Sequence, residues 1–381
     1  MKSTSQLRPG VGLLAGVAAT LMLTTAATAA GPETVSGPGA EPECFKAQSA
    51  ETKYFQWPAK PGPYRIALAN GFIANDWRVQ MIKTAKAYAE QPSVKPDIKE
   101  FKAISVGLDV AAQIASVNNF IDQGYDAVIV NAVNPSAFGA VVKKAWDAGV
   151  VLLSFDNIIE DPNQIIVNVD QPSLGTAAGE HLVKQIEKDG GKLLEVRGPA
   201  GNTVDRDRHD GFHKALDASG KKWEVTEVVG NWAPGDAQKV AADAMLVSGP
   251  FDGIYVQGGS QGAAQALLDS GQPLVPISGE TENVFGKICD KYGDKGLRCS
   301  FGGTGPGQVA VTIKTAIAAL KGEKVPQNIA LPTSMAYWPD IKPGRDFFPD
   351  LPDSFFVGNN FEACNIGFTA EEIGAQTGDN N

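Results

Sequence analysis

The sequence contains few of the residues that bind metals or perform thiol chemistry. Its 381 residues include only three histidines and four cysteines. No CxxC pair and no HExxH motif occurs, so neither a redox dithiol nor a zinc protease site of that type is expected. We therefore predict no cofactor and no bound metal.

Positive charge is also scarce. Lys and Arg number 33 against 43 Asp and Glu, which gives a formal net charge of −10. Proteins that bind nucleic acid or anionic membranes through phosphate contacts present a basic face, so we expect neither partner. The 43% hydrophobic and 8% aromatic residues are otherwise ordinary for a globular protein, and the length predicts two domains.

The chain has no apolar run long enough for a comfortable bilayer span. The run at 11–23 falls short of the roughly 20 residues that a spanning helix needs. Lys2 and Arg8 flank it on the N-terminal side, and small residues follow at 27–30. This pattern predicts that residues 1–30 are a cleaved signal peptide and that the mature protein is periplasmic or otherwise extracytoplasmic. A retained N-terminal anchor is the alternative.

The cysteines fit an oxidising compartment, because four is an even number and disulfides persist there. Cys289 and Cys299 flank a stretch rich in Gly, Asp and Lys, which suggests a stapled turn. Cys44 would then pair with Cys364 and fasten the two chain ends together. Three pairings are possible from the sequence alone, and we favour this one.

Short apolar runs alternate with segments of helical periodicity from residue 65 onward. The runs are typical of buried strands, and a three-to-four-residue spacing of apolar residues is typical of helices. Their alternation predicts an α/β fold in which helices cover parallel sheets. The strand-like runs are 66–69, 127–130, 150–155, 165–169, 193–196, 223–229, 253–256 and 274–277. The helix-like segments are 78–91, 138–148, 176–188, 236–246 and 308–320.

The two halves of this region resemble each other at a nearly constant offset. Three ordered matches suggest two doubly wound lobes of like topology, with chance similarity among Val-rich strands as the alternative. The matched pairs are 65–71 with 192–198, 126–132 with 252–258, and 149–156 with 271–278.

Planar hydrogen-bonding side chains and tryptophans follow the strands of both halves. Ligands of open α/β sheets bind beyond the carboxyl ends of the strands, so these side chains are candidates for one site. Aromatic rings can cover the apolar faces of a sugar, while carboxylate, guanidinium and amide groups suit its hydroxyls. The candidates are Asn75, Trp77, Arg78, Asn131, Asp156, Asn157, Arg208, Trp232, Gln257 and Glu280.

Taken in order, these motifs resemble those of the type I periplasmic sugar-binding proteins of bacterial ABC importers, close in pattern to the ribose-binding type. The resemblance runs from about Tyr64 to Pro326, and its most specific part is the segment 198–212. The other segments on which the resemblance rests are Ile66-Ala-Leu-Ala-Asn70, Asn75-Asp-Trp77, Asp126-Ala-Val-Ile-Val-Asn131, Ser154-Phe-Asp-Asn157, Asn168-Val-Asp170, Asn231-Trp232, Gly279-Glu280 and Leu320-Lys-Gly-Glu-Lys-Val325.

The resemblance implies roles for the matching positions. Asn75 and Asn131 look like amide ligands of sugar hydroxyls, and Asp156 and Glu280 look like their carboxylate acceptors. Arg208 resembles the guanidinium of the second lobe. The two aromatic positions of the pattern fall on Trp77 and Trp232.

Four positions depart from the ribose-type pattern. Asn157 stands where ribose binders often have Arg, and Thr304 stands where they have Gln. Arg78 replaces an aromatic residue, and Gly258 replaces an Asn. The last two departures, Arg78 and Gly258, put ribose itself in doubt as the ligand and leave the sugar class in place.

The resemblance also implies a hinge of three segments, near Asp170, Thr304 and Leu331. Gly-rich sequence around Thr304 suits a hinge, because Gly absorbs large backbone rotations. The predicted organisation is a signal peptide at 1–30, a linker at 31–63, an N-terminal lobe at 64–170 with 305–330, a C-terminal lobe at 171–304 with 331–345, and a tail at 346–381.

Two other motifs point to different chemistry. The sequence 305–310 matches the dinucleotide pattern GxGxxA, but Pro306 removes an N–H that a phosphate would use. His209 and His213 stand four apart in a predicted helix, as zinc pairs do. With no third ligand beside them in sequence, we interpret them as surface histidines.

We therefore expect a monomeric, non-enzymatic receptor that captures a monosaccharide or small polyol and passes it to a membrane ABC permease. A sensory role through a chemoreceptor or histidine kinase would use the same site chemistry. An exported glycosidase using Asp156 and Glu280 is the best enzyme alternative. A cytoplasmic sugar-responsive repressor would need a basic DNA-binding headpiece where this chain has a predicted signal peptide.

Overall fold

The computed structural model describes residues 1–5, 31–73, 75–303 and 305–380. Most of the predicted signal peptide and the candidate residue Thr304 lie outside these ranges. No helix in the described part of the chain combines the length and apolarity needed to cross a membrane.

The segment before the first large sheet is more ordered than the predicted linker. It contains β1 (Glu33–Val35) and β2 (Tyr54–Gln56), which pair antiparallel with each other. Phe45, Phe55 and Trp57 of this segment are buried in the main core of the first lobe. These aromatic side chains anchor a stretch whose Gly, Pro and Glu content suggested only irregular chain.

The first lobe is built around a six-stranded sheet. Its strand order is β14-β7-β6-β5-β3-β4, and all neighbouring strands are parallel. Its first eight elements, in chain order, are β3 (Tyr64–Asn70), α1 (Asp76–Glu90), β4 (Ile98–Ser105), α2 (Val110–Asp122), β5 (Ala127–Asn131), α3 (Gly139–Asp147), β6 (Val151–Phe155) and β7 (Ile165–Asn168).

The chain then crosses to the second lobe and builds a second sheet. Its elements are α4 (Gln171–Gln185), β8 (Gly190–Arg197), α5 (Thr203–Ala218), β9 (Lys222–Val229), α6 (Pro234–Ser248), β10 (Gly253–Val256), α7 (Ser260–Asp269), β11 (Ile277–Gly279), α8 (Asn283–Tyr292) and β12 (Cys299–Gly303).

The chain returns to the first lobe and crosses once more. The remaining elements are α9 (Gln308–Leu320), β13 (Val325–Pro326), β14 (Asn328–Ala330), β15 (Ser334–Tyr337) and α10 (Ala370–Gly374). Strand β13 pairs with β2, so that these two and β1 form a small antiparallel sheet. Strand β15 closes the second large sheet as its only antiparallel member, in the order β15-β12-β11-β10-β8-β9.

The two large sheets have the same topology. Strands β4-β3-β5-β6-β7 occupy the same order as β9-β8-β10-β11-β12. The three internal matches found in the sequence fall on β3 with β8, β5 with β10 and β6 with β11. The predicted α/β fold with two similar doubly wound lobes is therefore confirmed.

The first three crossings between the lobes lie between β7 and α4, between β12 and α9, and between β14 and β15. These positions support the predicted lobe boundaries, which we retain as a proposal: 64–170 with 305–330, and 171–304 with 331–345.

The C-terminal segment, predicted as an irregular tail, packs against both lobes. Its earlier part is held by Asn283 of α8, whose Nδ2 donates to the backbone oxygens of Phe348 and Pro352 at 2.9 and 3.0 Å. Its later part enters the core of the first lobe through Phe361 and Ile366. The segment is thus a fourth crossing between the lobes.

Both predicted disulfides are present. Cys44 is bonded to Cys364, across 320 residues of chain, and Cys289 is bonded to Cys299. The first bond ties the N-terminal segment to the C-terminal segment, and the second joins α8 to β12. The favoured pairing is therefore confirmed.

Candidate functional site

A cavity of about 440 Å³, which includes its opening to solvent, lies between the lobes at the carboxyl ends of the strands. Both lobes contribute to it, as expected for open α/β sheets that face each other. Its lining residues are Asn75, Trp77, Arg78, Asp156, Val169, Gln171, Val204, Arg208, Trp232, Glu280 and Gln308.

The start of α1 places three of these side chains. Asn75 caps the helix, because its Oδ1 accepts a hydrogen bond from the backbone N–H of Arg78 at 3.0 Å. This cap fixes Trp77 and Arg78 in the first turn, beside the end of β3. The guanidinium of Arg78 lies 4.8 Å from the ring centroid of Phe72, a cation–π distance.

Asp156 is the carboxylate of the first lobe. Its backbone has φ +56°, in the left-handed region that a non-glycine residue seldom adopts. Its Oδ2 lies 3.4 Å from Nη2 of Arg78 and from Nδ2 of Asn131, and 3.3 Å from Nδ2 of Asn157. Three donors therefore converge on one oxygen and hold the side chain at the cavity wall.

Arg78 is itself buried, and its Nη1 donates to Oδ1 of Asn70 at 2.8 Å. Burial disfavours the charged form and lowers the pKa of the guanidinium to about 10, although Asp156 opposes this shift. Arg78 therefore remains charged at neutral pH and balances the charge of Asp156.

The second lobe provides a matching pair in Arg208 and Glu280. Nη1 of Arg208 donates to Oε1 of Glu280 at 2.6 Å, and its Nε donates to Oε1 of Gln171 at 2.8 Å. The backbone oxygen of Gln257 accepts a third bond from this guanidinium, also at 2.6 Å. Arg208 is thus fixed by a side chain, a backbone group and an ion pair.

Burial raises the pKa of Glu280, and the charge of Asp156 raises it further, while Arg208 opposes both effects. For Arg208, burial is the largest effect and would lower the pKa. The charge of Glu280, its hydrogen bond and the more distant Tyr255 and Asp156 together outweigh burial, so the pKa lies above its ordinary value. Each lobe therefore contributes to the cavity one arginine and one carboxylate that are paired with each other.

Trp232 occupies a slot formed by two glycines. A Cβ at Gly198 would lie 2.2 Å from Cε2 of the indole, and a Cβ at Gly258 would lie 2.8 Å from its Cδ1. Asn231 and Trp232 both have φ +55°, and strained backbone of this kind is typical of functional sites. The glycine at 258, which departs from the ribose-type pattern, thus makes room for this ring.

Gln308, at the start of α9, lines the cavity and carries an unsatisfied acceptor. Its Oε1 is buried and, among the described residues, has no hydrogen-bond partner. An unpaired buried acceptor costs about 1–3 kcal/mol. A ligand hydroxyl that donates to this oxygen would remove that cost.

Most of the residues predicted from the sequence meet at this cavity. Those that line it are Asn75, Trp77, Arg78, Asp156, Arg208, Trp232 and Glu280. Asn131, Asn157 and Gln257 are fully buried behind the lining and hold Asp156 and Arg208 in place. Thr304 is outside the described residues.

Four lining residues were missed: Val169, Gln171, Val204 and Gln308. Val169 and Gln171 lie in the first crossing between the lobes, and Gln308 begins the helix that follows the second. The signal for these three was the predicted hinge, because segments that connect two facing lobes border the cleft between them. Val204 lies in the first turn of α5, and its place at the cavity was not predicted by the hinge.

The dinucleotide-like turn at 305–310 is covered by the C-terminal segment. A Cβ at Gly305 would lie 2.1 Å from the backbone oxygen of Val357, and one at Gly307 would lie 2.4 Å from that of Asn359. Carbonyl oxygens pack where a phosphate would have to approach. This arrangement excludes the nucleotide interpretation.

Comparison with protein families gives one match over most of the chain. The family model described as a periplasmic binding protein domain matches residues 66–324. This range contains the described cavity-lining residues and all but the outermost elements of both lobes.

Two curated relatives are similar in sequence. The D-ribose/D-allose-binding protein of Pseudomonas aeruginosa is 33% identical over 205 residues, which are 51% of this chain and 60% of that protein. The xylitol-binding protein of Mycolicibacterium smegmatis is 29% identical over 230 residues, which are 58% of this chain and 64% of that protein. The chain thus spans less than two thirds of the length of either relative.

A solved structure has the same fold. The ABC transporter solute binding protein from Thermobispora bispora superposes with a TM-score of 0.65 at 25% sequence identity. The superposition covers 71% of this chain and 84% of that one.

Proposed function

The chain belongs to the periplasmic binding protein family, and from that premise we propose that it is an extracytoplasmic receptor for a monosaccharide or small polyol. We propose that it binds this ligand as a monomer in the cavity between the lobes and delivers it to an ABC permease. The observation that carries the proposal is the pair of arginine–carboxylate contacts, one from each lobe, that line the same cavity as two tryptophans.

The charges of the cavity favour an uncharged ligand. Arg78 is paired with Asp156, and Arg208 is paired with Glu280, so the four ionic side chains balance. A charged ligand would bring into this buried place a charge that no group of the cavity is left to balance, which is expensive. Sugar hydroxyls can instead donate to the carboxylates and accept from the guanidinium groups.

The tryptophans supply the apolar part of recognition. Trp77 comes from the first lobe and Trp232 from the second, and both line the cavity. Indole rings can bury the C–H faces of a sugar ring or of an extended polyol. The printed names of the relatives, a D-ribose/D-allose-binding protein and a xylitol-binding protein, agree with this ligand class.

We infer that the site binds its ligand without chemical conversion. Glycosidases need one carboxyl group free to donate a proton and another free to attack or to activate water. Here an arginine holds each carboxylate, at 3.4 Å for Asp156 and 2.6 Å for Glu280. Both groups are thereby positioned to accept hydrogen bonds from ligand hydroxyls.

A second enzyme motif is also present. Residues 258–262 match the nucleophile pattern GxSxG and stand between β10 and α7, as that pattern requires. Ser260, however, is fully buried, and its Oγ accepts the backbone N–H of Glu280 at 2.9 Å. Within the described part of the chain, His181 contacts Tyr337, and His209 and His213 contact each other and Glu195, so none of these contacts is with Ser260. We therefore assign Ser260 a structural role.

Calorimetric titration of the untagged protein tests the proposal. We expect saturable binding of at least one neutral pentose, hexose or polyol, and much weaker binding of a sugar acid or an amino sugar. Asp156→Asn and Arg208→Gln should each weaken binding by roughly 10- to 100-fold, because loss of a buried polar partner costs about 1–3 kcal/mol. The charge-matched controls Asp147→Asn and Arg345→Gln change exposed residues and should bind normally.

If no neutral sugar or polyol binds, or if both cavity variants bind as well as the controls, the proposed site is wrong. Hydrolysis of an aryl glycoside that is lost in Asp156→Asn would instead show a glycosidase. Delivery to a permease has its own test, because deletion of the protein should then limit uptake of the bound sugar rather than a behavioural response to it.

A further inference from the structure

A second group of ionisable side chains lies in the second lobe, outside the cavity lining. It comprises Glu195, His209, His213 and Glu227, whose ligand atoms all lie within 4.8 Å of one another. Neither the family match nor the proposed sugar site gives these four residues a role. We refer to them as the His–Glu cluster.

The fold brings the cluster together from three elements. Glu195 of β8 and Glu227 of β9 are direct partners in the parallel register, so both side chains project from the same face of the sheet. His209 and His213 are four apart in α5, which places both imidazoles on one side of that helix. The helix side that carries them faces the two carboxylates.

The distances suit one small ion. Oε2 of Glu195 lies 2.9 Å from Nδ1 of His209 and 3.1 Å from Nε2 of His213, and the two imidazole centroids are 4.2 Å apart. Bonds of about 2.0–2.1 Å to zinc in a tetrahedral site separate the ligand atoms by about 3.3 Å. Small side-chain movements would therefore centre an ion among these atoms.

We propose that the His–Glu cluster binds Zn²⁺, with Glu195, His209 and His213 as its three main ligands and Glu227 as the fourth. Imidazole and carboxylate groups are common zinc ligands, and four-coordinate sites are the usual arrangement in proteins. Two carboxylates and two neutral imidazoles also give the ion a site of opposite charge.

The surroundings provide support for the ligands and a route for the ion. The carboxylate of Glu195 is fully buried, and its Oε1 lies 3.3 Å from Nε2 of Gln257, an outer contact that orients it. His209, His213 and Glu227 are each partly exposed, so the ion can enter from solvent.

Arg197 is the group that competes with the ion. Its Nη1 donates to Oε2 of Glu227 at 2.8 Å, while its Nη2 donates to Oδ2 of Asp205 at 2.8 Å. Glu227 must release the first bond to bind the ion, whereas Asp205 can keep Arg197 in place. Glu227 is therefore the weakest of the four ligands.

The test uses untagged full-length protein treated with a chelator and titrated calorimetrically with Zn²⁺ alone. We expect saturable binding of one ion per chain. His209→Gln and His213→Gln should each weaken zinc binding by at least about tenfold, and Glu227→Gln should weaken it less. Co²⁺ should give the visible absorption of a tetrahedral nitrogen–oxygen site, and that absorption should be lost in His213→Gln.

Glu224→Gln is the matched control, because Glu224 is also on β9 but three residues from Glu227 and hence on the opposite face. His181 is unchanged in all of these variants, so any weak zinc binding to that single histidine is the same in each of them. Failure of the native protein to take up one Zn²⁺, or uptake that is equal in His209→Gln and in Glu224→Gln, would overturn the proposal. The outcome is independent of the sugar titrations, since no sugar is present.

Discussion

At the scale of single residues, Glu282 directly precedes α8 and is buried, and its carboxyl group contacts the start of α7. Its two carboxylate oxygens accept the backbone N–H groups of Ser260 and Gln261 at 2.8 and 2.9 Å. Burial nevertheless raises its pKa from 4.5 to about 7, and the charge of Glu280 adds to that increase.

This raised pKa predicts a pH-dependent stability. Between about pH 4.5 and about pH 7 the folded protein keeps a proton that the unfolded chain has lost. The stabilising contribution of Glu282 is therefore complete below that interval and is lost as the pH rises through it. Relative to the native protein, Glu282→Gln should gain up to about 3 kcal/mol of unfolding free energy between about pH 4.5 and about pH 8.

Urea unfolding of both proteins at the two pH values measures this difference. Glutamine has one acceptor oxygen instead of two, but that loss does not depend on pH and cancels in the comparison. Glu187→Gln changes an exposed carboxylate and should show no such gain. A difference between Glu282→Gln and the native protein that stays constant with pH would contradict the prediction.

Gly258 gives a prediction about the shape of the cavity. In Gly258→Ala the new methyl group would press on the indole of Trp232, from which it would lie 2.8 Å at Cδ1. Overpacking of this kind costs about 1–3 kcal/mol, so we expect sugar affinity to fall by about tenfold or more. Gly235→Ala is the control, since a Cβ there meets no atom within 4 Å. Equal affinities of the two variants, measured by calorimetry, would show that Trp232 does not need this slot.

The sequence pattern predicted which residues lie near the site, but it did not predict which of them line the cavity. Side chains that directly follow a strand, such as Asp156 and Trp232, were found because a parallel sheet gathers its strand ends at one edge. Asn131 is the last residue of β5, and its side chain supports Asp156 instead of lining the cavity. The sequence places such a residue near the site, but only packing determines which atoms face the cavity.

At the scale of structural elements, the disulfide between Cys44 and Cys364 closes a loop of 320 residues, while that between Cys289 and Cys299 closes a loop of ten. Loop-closure entropy predicts a stabilisation of about 6 kcal/mol for the long loop and about 3 kcal/mol for the short one. All four cysteines are buried, so replacing either pair by alanine leaves cavities of similar kind.

We therefore expect Cys44→Ala with Cys364→Ala to lower the free energy of unfolding more than Cys289→Ala with Cys299→Ala. Urea unfolding under oxidising conditions measures both variants, with the native protein as the reference. A larger loss from the short loop would mean that local packing, rather than loop length, determines the effect of these bonds.

Strands were predicted correctly where their side chains are apolar on both faces of the sheet. The runs at 66–69 and 253–256 correspond to β3 and β10, because central parallel strands are buried on both sides. Strand β4 was missed, since it is an edge strand whose lysines and glutamate interrupt the pattern. Strand β12 was missed as well, since it ends in two glycines and lacks the β-branched residues that mark strands.

At the scale of the whole molecule, the ion pair between Arg206 and Glu160 joins the lobes at residues outside the cavity lining. Nη2 of Arg206 in the second lobe lies 2.9 Å from Oε1 of Glu160 in the first, and both side chains are about half exposed. An exposed pair of this kind contributes at most about 1 kcal/mol and is screened by salt.

If ligand binding brings the lobes together about the predicted hinge, Arg206→Gln should weaken sugar binding by no more than about fivefold at low salt. The difference should vanish at about 1 M salt, where the screening length is about 3 Å. Lys239→Gln is the control, because its ion pair with Asp243 lies within one helix of the second lobe. A loss in Arg206→Gln that persists at high salt would indicate a direct role in binding the sugar.

The two-lobed architecture was predictable because the internal repeat is visible in the strands that form the centre of each sheet. The attachment of the chain ends was not predictable in the same way. Segments 31–63 and 346–380 have no counterpart in the repeat, and their Gly and Pro content hides the few aromatic residues, such as Phe55 and Phe361, that enter the core.

The late part of the C-terminal segment also sets the order in which the protein can be completed. Phe361 and Ile366 complete the apolar interior of the first lobe, and Cys364 is the oxidation partner of Cys44. A growing chain therefore cannot finish the lobe that is synthesised first until residues beyond 360 have emerged. The first lobe can complete its fold only after the C-terminal segment has been synthesised. This order favours folding after synthesis rather than during it.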